Sequence, residues 1–264
     1  MTENTIGQIK NEYQAAGLHM LPDFIRKYES DTRAGVQKLI AAAHKQLGWL
    51  EAERERIYQM GEYERQYAQH GFVCGIDEAG RGPLAGPVVA GAVILPKDSE
   101  ILYLNDSKQL SAKKREELYE VIINQAAAYG IGIVSCRRID EINILQATYE
   151  AMREAINNLG VIPDILLNDA VTIPGVKIRQ VPIIKGDAKS VSIAAASILA
   201  KVSRDHIMAE YDVQYPEYGF AKHKGYGTAA HIEALRRHGP CPIHRMTFLK
   251  NFQLEDHGGE TISQ

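Results

Sequence analysis

Residues 73–93 constrain the fold more than any other stretch: Val-Cys-Gly-Ile-Asp-Glu-Ala-Gly-Arg-Gly-Pro-Leu-Ala-Gly-Pro-Val-Val-Ala-Gly-Ala-Val. Two β-forming runs flank a turn holding Gly80, Gly82 and Gly86, so the chain reverses and the runs pair antiparallel. The first run ends on adjacent carboxylates, Asp77 and Glu78, and Arg81 follows between two glycines. Strand ends are where open α/β sheets gather ligands. A glycine turn presents backbone amides to an anion or a hydroxyl. The spacing is not that of a dinucleotide fingerprint: the third glycine comes one position late, and Pro83 stands where a helix amide would face a pyrophosphate.

From Phe72 onward, short β-branched runs alternate with helical stretches. Strands are predicted over 72–76, 88–95, 131–136, 164–168 and 178–184. Ser107 or Ser111 caps a helix through 113–128, ended by Tyr129-Gly130, and Asp140 caps one closing at Gly160. A long alanine-rich helix spans about 190–211, its small residues allowing close approach to a sheet, and Thr228 caps a last helix closed by His238-Gly239-Pro240. Such alternation predicts an α/β layer architecture with a mixed sheet flanked by helices, and the tail after Phe252 is expected to be disordered. Residues 1–70 have a different texture, rich in Glu, Arg, Gln and Tyr, with Val36, Leu39, Ile40, Ala43, Leu47 and Leu50 on one helical stripe. The expected division is therefore a helical N-terminal extension over 1–70 and an α/β unit with C-terminal helices over 71–264. Lys10, Arg26, Lys27, Arg33, Lys38 and Lys45 make the extension a candidate substrate-binding arm as well as a packing arm. Tyr58, Tyr63 and Tyr67 form a packing stripe.

Three predicted strands end on acids: Asp77-Glu78, Asp169 and Asp187. Converging carboxylates repel one another, and hard oxygen ligands select Mg²⁺ or Mn²⁺. Two such ions about 3.5–4 Å apart can activate a water and stabilise the leaving oxygen of a phosphodiester. Asp187 beside a helix start is also placed to be a cap. Net charge is −3, which alone suggests no polyanion, yet residues 185–250 hold ten Lys/Arg against six Asp/Glu, plus five His. The three cysteines lie far apart with no C-x-x-C spacing, as in a reducing compartment and without a zinc site. Neither a secretory signal nor a membrane-length apolar run is visible, so a cytoplasmic protein is expected.

The segment Gly-Ile-Asp-Glu-Ala-Gly-Arg-Gly-Pro-Leu-Ala-Gly-Pro-Val at 75–88 closely resembles the signature of type 2 ribonuclease H, bacterial ribonuclease HII. The resemblance continues through Asn105-Asp-Ser-Lys108, Lys185-Gly-Asp187, Ser192-Ile-Ala-Ala-Ala-Ser-Ile198, Ala200-Lys-Val202 with Arg204-Asp205, and His223-Lys-Gly-Tyr-Gly-Thr228. It implies a ribonuclease H-like fold and an endonuclease using Mn²⁺ or Mg²⁺. Such an enzyme cleaves the RNA strand of RNA–DNA hybrids and nicks 5′ of ribonucleotides embedded in duplex DNA, leaving 5′-phosphate and 3′-hydroxyl ends.

Carried over by position, the resemblance makes Asp77, Glu78, Asp169 and Asp187 the catalytic, metal-binding quartet. Gly80, Arg81 and Gly82 match the loop that reads the ribose 2′-OH, and Tyr226 matches the ring stacked on the next deoxyribose. The 2′-OH is the one local group separating RNA from DNA. Lys108, Lys201 and Arg204 fall inside matching motifs as phosphate contacts, and Lys189 lies nearby. The family usually shows Val-Asp-Gly at the third acid, where this chain has Asn168-Asp169-Ala170; Asp164 is the alternative ligand there. Expected partners are the two nucleic-acid substrates, with no membrane and a monomeric chain. Three alternatives stay open. One is the sister ribonuclease HIII, which has a β-rich N-terminal domain. The others are a non-catalytic hybrid-binding protein and, more distantly, a nucleotide-dependent oxidoreductase.

Overall fold

A computed structural model describes residues 4–250. The chain divides into two compact units, Met1–Tyr58 and Gln59–Gln264. In the first, helix α1 (Ile6–Ala15) starts at Thr5 with a reciprocal capping box to Gln8. Helix α2 (Leu21–Tyr28) has Pro22 in its first turn, and α3 spans Ala34–Met60. Asp23 lies inside α2, so it supplies first-turn negative charge and does not cap the helix. Ile9, Leu21, Phe24, Tyr28, Val36, Ile40 and Ala43 form the core of this unit, in line with the predicted stripe. Four of the six basic side chains of the expected arm already have partners. Lys27 pairs with Glu12, Arg26 with Asp23 and Arg33 with Asp31, and Lys45 lies over the Trp49 ring.

The second unit begins with the end of α3 and the short α4 (Glu62–Tyr67), then builds a five-stranded sheet. Its strands are β1 (Val73–Ala79), β2 (Val88–Ile94), β3 (Ala128–Val134), β4 (Ile165–Asp169) and β5 (Arg179–Ile183), in the order β3-β2-β1-β4-β5. β1–β2 and β2–β3 pair antiparallel, whereas β1–β4 and β4–β5 pair parallel. The predicted mixed α/β sheet flanked by helices is thus present. Helices α5 (Ala112–Gln125), α6 (Cys136–Ile142), α7 (Ile144–Asn157) and α8 (Val191–Gln214) cover it. The short α9 (Phe220–His223), then α10 (Ala229–His238) and α11 (Met246–Leu249), complete the C-terminal region.

Side-chain alternation along β1 sorts the layers. Cys74 and Ile76 join Ala147, Ala151, Met152 and Ala155 of α7 in the main core, while Val73 meets Ile193 of α8. Glycines bring both helices in. A Cβ on Gly75 would lie 2.1 Å from the Ser192 carbonyl carbon, and one on Gly132 would lie 2.0 Å from Ala151 O. Helix α8 therefore lies directly on the strands, as its alanines predicted.

Three boundaries differ from expectation. Tyr129-Gly130 belongs to β3 and does not end α5, because Ala128–Val134 pair with β2 along their whole length. The helix expected from Asp140 is two helices, broken at Asn143 (φ 67°), whose side chain caps α7. Asp140 lies inside α6, where its carboxylate accepts from the Met246 and Thr247 amides. Tyr63 and Tyr67 pack around Val73, Ile165 and Leu167, whereas Tyr58 is exposed. The tail beyond Phe252 lies outside the described residues.

Candidate active site

Parallel pairing places the acids side by side. Ile76 stands opposite Asn168, so the next residues, Asp77 on β1 and Asp169 on β4, lie where these two strands part, Asp77 still paired with Gly91 of β2 and Asp169 with Ile183 of β5. After β5, Lys185 turns through left-handed φ 57° into a 3-10 turn, Gly186–Ala188, that carries Asp187. The Gly186 amide donates to Asp169 Oδ1 at 2.8 Å, tying the two acidic turns together. One carboxylate oxygen from each of Asp77, Asp169 and Asp187 lies within 4.8 Å of the others. Asp164, the alternative to Asp169, lies at the other end of β4 and accepts from the Phe72 amide at 2.7 Å.

Glu78 lies beside this trio but outside it. Its Oε1 accepts from Arg81 at 3.1 Å, and its Oε2 is buried with no hydrogen-bond partner. Burial lifts the Asp77 carboxyl well above the ordinary range, and the neighbouring Glu78 and Asp169 charges add to this. The Glu78 and Asp187 carboxyls are raised too, first by burial. Raised carboxyls, an orphaned oxygen and an all-oxygen donor set are the features of a site that fits a hard divalent cation.

Two further residues belong to the site. Asp106, in the Asn105–Lys108 motif, lies close to Asp187, and after burial its charge is the largest influence raising the Asp187 carboxyl. Sequence reasoning passed over it because it lies in a loop, not at a strand end. The Lys108 ammonium is favoured by Asp106, Asp77, Asp187 and Asp169, which together outweigh its partial burial. Lys108 therefore stands beside the acidic centre.

The Asn168-Asp169-Ala170 departure has a local account. Asn168 is buried and donates to Val171 O and to Gln180 Oε1, latching the turn after β4 onto β5. Ala170 takes φ 55°, a left-handed conformation that glycine adopts more readily.

The glycine turn lies against Arg204 and Met208, within α8. Gly80 (φ 93°) has no room for a Cβ, which would fall 2.1 Å from Arg204 Nε. Gly82 is exposed, and a Cβ there would meet the half-exposed Tyr226 ring at 3.8 Å. Turn and ring thus share one surface. Lys189 is exposed just before α8, while Lys201 is largely buried and ion-paired with Asp205 at 2.6 Å. Burial lowers the Lys201 pKa, with the Asp205 contact opposing it.

Arg204 departs from expectation. It is 1 % exposed and donates to the carbonyls of Pro87, Ala85 and Lys224 at 2.9–3.0 Å. A side chain so enclosed cannot reach a phosphate; it supports the turn from beneath.

Behind Tyr226 is a chain of histidines. The Tyr226 carbonyl bonds His231 Nδ1 at 2.9 Å, His231 Nε2 faces His244 Nε2 at 3.0 Å, and the Cys241 amide donates to His244 Nδ1 at 2.9 Å. These bonds are mutually consistent when both rings are neutral. His231 then donates from Nδ1 and His244 donates from Nε2. Burial pushes His244 down to about 4.

Among the described residues, no helix is long and apolar enough to cross a membrane. The family model for ribonuclease HII matches residues 74–251, and that for the ribonuclease HII N-terminal domain matches 5–68. The chain is 61% identical to ribonuclease HII of Lachnoclostridium phytofermentans, over 93% of this chain and 97% of that one. It is 51% identical to the Bacillus subtilis ribonuclease HII, over 94% and 97%. Among solved structures, ribonuclease H2 of Pyrococcus horikoshii aligns with a TM-score of 0.56 at 30% identity, covering 67% of this chain and 93% of that one. An acidic trio at the ends of β1, β4 and β5, a glycine turn beside it and matches along both units lead to one assignment: the chain belongs to the ribonuclease HII family of endonucleolytic hydrolases.

Proposed function

We propose that this protein cleaves the RNA strand of RNA–DNA hybrids and nicks duplex DNA on the 5′ side of an embedded ribonucleotide, in a reaction that depends on a divalent cation. The observation that carries this reading is the convergence of Asp77, Asp169 and Asp187 within 4.8 Å, beside the turn that faces Tyr226. Asp77, Asp169 and Asp187, with Glu78 adjoining, would hold Mg²⁺ or Mn²⁺. A bound cation there supplies charge neutralisation at the phosphodiester and lowers the pKa of water.

The chain's own groups arrange the substrate. Gly80, Arg81 and Gly82 bring backbone within reach of a ribose 2′-OH, and the Tyr226 ring packs on the adjacent deoxyribose. Lys108, and Lys189 further out, meet the phosphates. Hydrolysis forms a bond from the water oxygen to phosphorus and breaks the bond to the preceding 3′-oxygen, which takes up a proton. The ends are 5′-phosphate and 3′-hydroxyl. The 2′-OH is read and does not act as nucleophile, so no cyclic phosphate forms.

The decisive assay is cleavage of a duplex containing one ribonucleotide, with Mg²⁺, Mn²⁺ and EDTA compared. Asp77→Asn should abolish turnover while leaving duplex binding and the melting temperature largely intact. Near-wild-type cleavage by that variant, or cleavage unaffected by EDTA, would overturn the assignment.

A further inference from the structure

Two arginines with no carboxylate partner are buried beneath the glycine turn. Arg245 and Arg204 are 0% and 1% exposed, and among the described residues neither forms an ion pair. Arg245 donates from Nη2 to Gly80 O (2.6 Å) and Pro87 O (3.1 Å), from Nη1 to Arg81 O (3.0 Å), and from Nε to Gly86 O (2.9 Å). Arg204 takes the carbonyls of Ala85, Pro87 and Lys224. Burial pushes Arg245 down to about 9 and Arg204 to about 10. Burying a cation without a counter-ion is costly, and here the compensation comes from carbonyl dipoles, all from residues 80–87 except that of Lys224.

Peptide geometry carries the consequence outward. In a trans peptide the carbonyl of one residue and the amide N–H of the next point in opposite directions, and the described chain has no cis bonds. Gly80 O and Arg81 O point inward to Arg245, so the amides of Arg81 and Gly82 point away from it. Gly82, which carries the second of these amides, is exposed beside the Tyr226 ring.

We propose that Arg245, assisted by Arg204, is a specificity-determining positioning residue: by gathering the turn's carbonyls it aims the Arg81 and Gly82 amides at the sugar being read. The inference rests on the ribose-reading role proposed for this turn. A lysine cannot replace Arg245, because its single nitrogen cannot span the Gly80 and Gly86 carbonyls as the planar fork does.

The test measures kcat and KM of Arg245→Lys and Arg204→Lys on a duplex with one ribonucleotide, with melting temperatures. Met152→Ala, in the core beneath α7, serves as a control for destabilisation alone. The expected result is a KM raised about 10- to 100-fold with kcat within about 3-fold, while Met152→Ala lowers the melting temperature and leaves KM unchanged. An unchanged KM in Arg245→Lys, or kcat and KM effects that merely track melting temperature as in the control, would overturn the inference. If the arginine variants do not fold, amide exchange on the wild-type protein decides. The Arg81 and Gly82 amides should exchange fast when free and become protected, with Ca²⁺ present, by the ribonucleotide duplex but not by its all-DNA counterpart. Protection in the free protein refutes the outward orientation. Failure of the wild type to cut the duplex would instead refute the proposed function, and the exchange of the free protein would still judge the brace.

Discussion

Glu64 offers a sharp test of where the catalytic unit begins. It lies on α4, outside the residues matched by the catalytic family model, yet its carboxylate is buried at the start of α8. Glu64 Oε1 accepts from Ser190 Oγ at 2.5 Å and from the Ser192 amide at 2.9 Å, and Ser190 in turn caps Ile193. Burial nevertheless raises the Glu64 carboxyl above its ordinary value, so desolvation outweighs these bonds and the negative charge is not what the site needs. The acceptor geometry is. Glu64→Ala leaves a buried hydroxyl and an amide without their acceptor, at about 1–3 kcal/mol per orphaned group, for a total of about 2–6 kcal/mol. In a unit of this size that lowers the melting temperature by roughly 4–24 °C at about 2–4 °C per kcal/mol. Glu64→Gln keeps the oxygen acceptor and orphans only its own amide nitrogen, which takes the place of the buried, unpartnered Oε2, so it should cost about 1–3 kcal/mol, less than the alanine variant. Thermal unfolding of both variants reads this directly. An alanine variant within about 1 °C of wild type, or equal losses in the two variants, would refute the reasoning. The consequence reaches the site, because Asp187 lies three residues before Ser190 in sequence. Removal of residues 1–70 deletes Glu64, Tyr63 and Tyr67. A chain starting at 59 should therefore retain turnover at saturating substrate, and a chain starting at 71 should lose stability and activity together.

Other expectations follow from single contacts. Ala170→Gly relieves a left-handed alanine and should stabilise by about 1 kcal/mol, seen as a higher denaturation midpoint; a lower midpoint would count against the strain at Ala170. The histidine chain makes stability acid-sensitive. The folded-state pKa of His244, about 4, lies below the unfolded value near 6.5, so its contribution is complete above pH 6.5 and is lost as pH falls from 6.5 towards 4. That window corresponds to about 3 kcal/mol. His244→Gln should flatten the decline between pH 6.5 and 4.5, and an unchanged slope would remove His244 as its source.

Several features were legible because their causes are local. Ser111 and Thr228 cap their helices through a side chain that accepts from an amide three residues on. The glycine hairpin followed from two β runs and a turn, and the acids of β1 and β4 from carboxylates at strand ends. The antiparallel register of β1 with β2, and the order that puts β4 beside β1, needed the folded sheet. So did the break at Asn143, where a left-handed residue interrupts an otherwise continuous helical pattern.

What the sequence by itself determined is the chemistry on offer: acids at strand ends, a turn free of side chains, and a tyrosine in a basic loop. Tertiary structure decided how those groups are held. Arg204 looked like a surface cation because nothing near it in sequence is its partner; the carbonyls it serves lie 20, 117 and 119 residues away. Glu64 reaches Ser190 across 126 residues, and Asp106 meets Asp187 only when the loop after β2 folds over the sheet. Whether a charge solvates, coordinates or braces depends on burial, and burial is a property of the packed chain. The turn at 80–82 was visible from the first, but the direction of its amides depends on two guanidiniums contributed by distant segments.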